Sequence, residues 1–255
     1  MTQLTGTGSP GLLDRQLDAP SRIDVITDRL VTAIAIGEYL PGARLPAERE
    51  LAAALGAGRM TVRAALARLV DLGLVRTLRG RGGGSFVLQQ WPDSSTGAVG
   101  RTLTIRAEEL RDRCDAICRV HGAISRAAAE SRTDLDIAAL RQRAQDYRTA
   151  PSGLPAQQAD SALHLAIMDA AHNAVLRQVL LDLEASVSIG APNHVWGEPA
   201  TMRQMEIRAV AEHADLVAAI VDGRGDDAEA LARAHVAIDF ENISAAMRRA
   251  GVLAE

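Results

Sequence analysis

From residue 21 the chain falls into a helical rhythm. After Ser21, a residue suited to cap a helix N-terminus, apolar residues sit at Ile23, Ile26, Leu30, Val31 and Ile34. That is one stripe at three- and four-residue spacing, and Gly37 ends it. PGARLPAERELAAAL then reads as a Pro-Gly turn, a short extended piece at Arg44 and Leu45, and a second helix over about 47–55. Gly56-Ala57-Gly58 is a tight turn, and a third helix covers 59–72 before Gly73. Beyond it, LVRTL and SFVLQ read as two short strands on either side of RGRGGG, which predicts a hairpin with a mobile, cationic tip.

Helix, helix, tight turn, helix, hairpin is the order of a winged helix-turn-helix, assigned here to residues 21–89. Residues 1–20 mix Gly, Ser, Thr and Pro without a sustained period and predict a disordered arm. Residues 90–104, around WPDSSTGAVGRTLT, predict a linker. From 105 to 250 the period is helical throughout. Helices are expected near 107–131, 134–149, 155–171, 174–188, 200–222 and 226–250, with breaks at Asp134, Pro151 to Pro155, Asn173, Gly190 to Pro199 and Gly223 to Gly225. The fold class is therefore mainly α: an N-terminal winged module with a small β-hairpin, followed by an all-α bundle.

Composition changes this picture at a few points. The 255 residues suffice for two such domains, and all 28 basic residues are Arg, which reads as the coding bias of a GC-rich genome. No apolar run approaches the roughly 18 residues that span a bilayer. The N-terminus lacks the basic start and apolar stretch of a signal peptide, so a cytoplasmic protein without membrane contact is expected. Cys114 and Cys118, one helical turn apart, read as buried reduced thiols. The net charge of -4 is unevenly spread: ten Arg against six acids between Pro20 and Gln90 give +4, leaving -8 elsewhere. A basic module joined to an acidic one fits an anion-binding domain attached to one that does not bind polyanions.

The third helix sharpens that inference. With Val62 at the centre of its buried stripe, Ala65, Leu66, Leu69 and Gly73 fall beside it, and the opposite side carries Met60, Arg63, Ala64 and Ala67, with Arg59 and Thr61 at the N-terminal rim. No Asp or Glu occurs from Leu51 to Val70. Small alanines permit close approach. Two arginines and a helix N-terminus favour phosphate and the guanine edge. Together with the preceding helix and the wing, this face points to double-stranded DNA.

LPAEREL, TVRAALARL and GRGGGSFV closely resemble the winged helix-turn-helix of GntR-type bacterial transcription regulators, over roughly residues 21–88. The resemblance implies DNA contacts from Arg49, Arg59, Thr61, Arg63 and Gly80, to which charge and position add Arg79 and Arg81. Two positions depart from the family pattern. Gly58 stands where Ser or Thr usually caps the recognition helix, and Met60 stands where a hydroxyl often meets phosphate.

A second constellation lies in the helical part. Asp160 and His164 share a helix face, and His213 and His235 lie on two later helices. One carboxylate and three imidazoles could form a divalent-metal site suited to Zn, Ni or Mn, although single histidines on helices are often core or surface residues. The pattern DxxxH, then EH-A-LxxAI, then ARAH resembles the all-helical FCD effector domain of the FadR-type branch of GntR regulators, over about 105–248. That resemblance implies a divalent metal, Zn with Ni or Mn as alternatives, held by Asp160, His164, His213 and His235, and an organic-acid or sugar-acid effector. Ile117 stands near the position where the family often places an effector-binding Arg. Arg113, one turn earlier, and His121 are the candidate effector contacts, while His172 and His194 read as structural or exposed. The expected protein is a homodimeric, ligand-responsive repressor acting on a short inverted repeat in a metabolic operon. The alternative is a metal-dependent hydrolase built on the Asp/His cluster.

Overall fold

The computed structural model describes residues 20–92, 95–104, 107–188 and 194–253. The arm expected at 1–20 lies, apart from Pro20, outside the described residues. Helix α1 (Arg22–Ala35) begins in a capping box: Ser21 Oγ accepts from the Asp24 amide, and the Asp24 carboxylate accepts from the Ser21 amide. It packs with α2 (Glu48–Ala54) and α3 (Arg59–Asp71) around Leu30, Ile34, Leu51, Val62 and Leu69, all fully buried. Burying one such side chain contributes about 1.5–3 kcal/mol.

The hairpin is β1 (Val75–Leu78) against β2 (Gly84–Val87), antiparallel, in register from Val75 opposite Val87 to Leu78 opposite Gly84. The extended piece expected near Arg44 adds to its edge. Arg44 bridges Phe86, and the Leu45 amide donates to Ser85 at 2.9 Å. The wing therefore rests on the same segment that leads into α2.

The segment expected to be a linker contains a helix, α4 (Ser95–Thr104). Its Gly, Ser and Thr content gives it little intrinsic helicity. Burial overrides that: Ala98, Val99 and Leu103 are enclosed, and Arg101 makes a bidentate pair with Asp28 of α1 at 2.7 and 2.9 Å. The bundle follows as α5 (Ala107–Ser131), α6 (Asp134–Thr149), α7 (Leu154–Ala170), α8 (Ala174–Val187), α9 (Pro199–Val221) and α10 (Gly225–Arg249). Long helix α10 lies along α5, and their core runs through Ile124, Ala128, Leu163, Leu180, Leu216 and Val236.

Two further apolar clusters join the winged module to the bundle. One brings Ala35 and Ile36 against Val99, Leu103, Val195, Ile243 and Met247. The other packs Leu40 with Tyr147, Ala156, Trp196 and Ala209. Between them runs the segment 194–197. The Gly197 amide donates to Ile36 at 3.0 Å and the Trp196 amide to Gly37 at 3.3 Å. Gly37, at φ +85°, has no room for a Cβ, which would lie 2.7 Å from the Gly197 carbonyl.

Candidate nucleic-acid interface and metal centre

The exposed side of α3 is the one its sequence reserves. Val62, Ala65, Leu66 and Leu69 are buried, and Arg59, Met60 and Arg63 are exposed, Met60 by 71%. Gly58 occupies the N-cap in extended geometry without a side-chain hydrogen bond, so the first amides of α3 are not capped by a side chain. Arg49, Arg79, Gly80 and Arg81 are exposed as well, and Thr61 is half-buried. Gly80 and Gly82 turn the wing tip at φ +94° and +84°. Although α3 has no acid before Asp71 at its C-terminal end, α2 supplies one: Arg63 Nη2 meets Glu48 Oε2 at 2.7 Å, and its Nε meets Oε1 at 3.0 Å. The pair lowers the Glu48 carboxyl below its usual range. This acid was invisible to a search along one helix because it lies fifteen positions away on another.

In the bundle, Asp160, His164, His213 and His235 converge. All four are buried, and one ligand atom from each lies within 4.8 Å of the others. Helix α7 supplies the first two from one face, while α9 and α10 cross to bring His213 and His235 together. Asp160 Oδ1 is 3.3 Å from His213 Nε2 and 3.7 Å from His164 Nε2. His213 Nε2 and His235 Nε2 stand 2.9 Å apart. Asp160 Oδ2, His164 Nε2 and His213 Nδ1 are buried without a partner among the described residues. Orphaned polar atoms are costly inside a protein, so this donor set fits a divalent ion. His235 also carries the outer support such ligands use: its Nδ1 meets Glu212 at 2.8 Å, and Arg208 holds Glu212 at 2.6 Å. Burial keeps the His164 imidazole neutral, with a pKa well below the ordinary histidine value. Burial would raise the Asp160 carboxyl, but the His213 hydrogen bond and the surrounding imidazoles hold it down.

A second group adjoins this one. His121 on α5, His164, and His194 from the segment before α9 also place one ring nitrogen each within 4.8 Å of one another. His121 Nε2 meets Glu184 Oε1 of α8 at 2.9 Å, and His194 Nδ1 meets Asp239 Oδ2 of α10 at 2.8 Å. Burial disfavours the His194 cation, yet Asp239 and its acidic neighbours prevail and push its pKa up to about 10. His194, expected to be structural or exposed, is 8% exposed and belongs to this chamber. Nothing in its loop sequence marked it, because the chamber is closed by contacts remote in the chain. His172 is exposed and pairs with Asp136. Arg113 is partly exposed, pairs with Glu109 at 2.6 Å, and borders a different cavity between α1, α4 and α5. Cys114 is buried and Cys118 half-buried, both free.

The cavities bordering the chamber are small, about 20 Å³ beside Asp160, His194 and His235 and about 30 Å³ beside Glu184 and Asp239. They have room for water or an ion and not for an organic acid. The chamber is also tied to the winged module. Gln157, three residues before Asp160, donates from Nε2 to Gly37 O at 2.9 Å and to His194 O at 3.1 Å. Asp239 holds both the His194 ring and, at 3.1 Å, the Val195 amide. Asn242 donates to Val195 O at 2.8 Å. The same short segment thus contributes a histidine to the chamber and hydrogen-bonds the end of α1.

Comparison with known proteins adds an independent finding. Residues 22–86 match the gntR family of bacterial regulatory proteins, and residues 112–238 match the FCD domain. The chain is 31% identical over 225 residues to the HTH-type transcriptional regulator RmpR of Mycobacterium gastri, covering 87% of this chain and 80% of that one. It is 27% identical to the Glc operon transcriptional activator of Escherichia coli, covering 86% and 88%. The galactonate operon transcriptional repressor of the same species is 29% identical, with 83% and 93% covered.

Proposed function

The chain belongs to the GntR family of bacterial regulatory proteins, with an FCD domain behind its winged helix-turn-helix, and from that premise we propose an operator-binding repressor whose DNA affinity is set by a small organic or sugar acid at a metal-containing chamber. The family and these relatives are transcription regulators, not enzymes. DNA contact is assigned to Arg49, Arg59, Thr61, Arg63, Arg79, Gly80 and Arg81. Arg63 reads a base edge, and Arg79 and Arg81 meet phosphate from the wing. A homodimer places two α3 helices on an inverted repeat, which doubles an interface that is small for one winged module.

In the bundle, Asp160, His164, His213 and His235 would hold a divalent ion, zinc by its donor set, with nickel or manganese as alternatives. The ion would supply coordination positions for a carboxylate or hydroxyl oxygen of the effector, with His121 nearby. Galactonate, named with one relative, and related hydroxy acids are the first compounds to try.

The observation that carries this reading is the segment 194–197. The cavities at the chamber are too small for an organic acid, so effector entry requires a wall to move. The wall containing His194 is hydrogen-bonded to Ile36 and Gly37 at the end of α1. An acid that favours the widened chamber therefore also biases the placement of the winged module, and only such differential affinity can shift DNA binding. Selection of bound fragments from genomic DNA, followed by titration with the acids, tests it. Enrichment of a short inverted repeat that an acid releases is expected. Failure to enrich any sequence rejects the operator reading, and tighter binding with acid rejects release as the mode.

A further inference from the structure

We propose that the bundle has a second divalent-cation position beside the first, set by His121, His194 and Glu184, for a first-row transition ion such as zinc. Four separate segments create it: α5 brings His121, α7 brings the His164 ring that stands between the two positions, α8 brings Glu184, and the 194–197 segment brings His194. The ring centroids of His121 and His194 are 5.7 Å apart, and that of His164 lies 5.4 Å from the former and 4.4 Å from the latter.

Three features favour an ion over a self-satisfied polar cluster. First, His194 Nε2 and Glu184 Oε2 are buried and have no partner among the described residues, although both residues are more than nine-tenths enclosed. Second, His194 has the support expected of a ligand, its other ring nitrogen resting on Asp239 at 2.8 Å, as His235 rests on Glu212 in the first group. Third, among the described residues the buried carboxylates Asp160 and Glu184 meet imidazoles and no guanidinium in their hydrogen bonds and ion pairs. Two imidazoles and a carboxylate are nitrogen and oxygen donors suited to zinc and its neighbours rather than to calcium or magnesium. The adjacent cavity of about 30 Å³, bordered by Glu184 and Asp239, has room for a water to complete the coordination.

The position goes beyond the metal reading of Asp160, His164, His213 and His235 and is separable from it by stoichiometry. The full chain is stripped with a chelator, dialysed against zinc chloride and measured by elemental analysis, with circular dichroism as the check of folding. Two zinc ions per chain are expected. Glu184→Gln and His121→Gln should each retain one, and so should Asp160→Asn, which removes the other ion. Cobalt loading should show two separable increments of visible absorption in the native chain and one in each variant. A native chain that binds one ion, kept by Glu184→Gln and lost in Asp160→Asn, overturns the second position and leaves the first standing. One ion lost in Glu184→Gln and kept by Asp160→Asn upholds the second and removes the first. Circular dichroism decides which losses count: one ion bound by the native chain and lost in a folded Asp160→Asn, or in a folded His213→Ala where Asp160→Asn does not fold, overturns the proposal.

Discussion

Replacing Gln157 by Leu should disconnect the chamber from the winged module while leaving both intact. Leu fills nearly the same volume and keeps the α7 helix, but it removes the Nε2 donor that spans Gly37 O at 2.9 Å and His194 O at 3.1 Å. Gly37 O retains the Trp196 amide at 3.3 Å, so its loss is partial, whereas no other donor to His194 O is seen among the described hydrogen bonds. One buried carbonyl left unsatisfied costs about 1–3 kcal/mol, and a second, weakened hydrogen bond adds about 0.5–1.5 kcal/mol. The variant should therefore lose about 1.5–4.5 kcal/mol of stability. If these bonds carry the communication, a coupling of ordinary size, about 5- to 150-fold in affinity, should fall toward unity. Operator titration with and without the hydroxy acid, in zinc-loaded native and variant chains, measures this. The native chain should show a difference between the two titrations, and the variant should bind operator in both with nearly the native acid-free affinity. A variant that is destabilised as calculated yet keeps the native ratio refutes the route through Gln157.

Three further outcomes follow from other parts of the molecule. Arg63→Ala should weaken operator binding roughly 5- to 150-fold with little effect on random duplex, whereas Arg81→Ala should weaken both and flatten the salt dependence; equal losses on both duplexes for Arg63→Ala, read by fluorescence anisotropy, would remove α3 from the major groove. Gly37→Ala should loosen the modules, because its Cβ meets the Gly197 carbonyl at 2.7 Å in a left-handed backbone; amide exchange at Trp196 and Gly197 should rise. Burial would raise the Glu206 carboxyl, but donors from Ser152, Gly153, Trp196 and Arg203 depress it below its ordinary value near 4.5. Its stabilising contribution is thus complete above that value and lost as pH falls through the lower, folded one. Glu206→Gln should be less stable at neutral pH by about 1–3 kcal/mol and lose less on acidification, read by denaturant titration at both pH values.

Much of this architecture is legible in the sequence because it is local. The stripe of Ile26, Leu30 and Ile34, the Ser21 cap and the apolar face of α3 each announce themselves within one or two helical turns, and the bundle helices end where Asn173 and Gly223 to Gly225 break them. Helix α4 is not legible, since Gly97, Gly100 and several hydroxyl residues argue against it and only burial of Val99 and Leu103 against other elements supports it. The same holds at the sites. Asp160 and His164 are visible as a four-residue spacing, but His194 and Glu184 enter the chamber through tertiary closure from a loop and a neighbouring helix. The Glu48 partner of Arg63 was hidden likewise, because pairs between helices have no spacing to read.

The central claim is that one chamber in the bundle senses and another part of the chain reads DNA, joined through 194–197. His213→Ala tests it most directly, since His213 lies in the chamber and far from the DNA-reading residues in the chain. Zinc content by elemental analysis is measured beside operator titration across the hydroxy-acid panel. The account predicts that zinc falls by one ion per chain, operator affinity stays within a few-fold of native, and the acid no longer changes it. A variant that loses the ion and still responds to the acid as the native chain does would contradict the account and move the sensing site elsewhere.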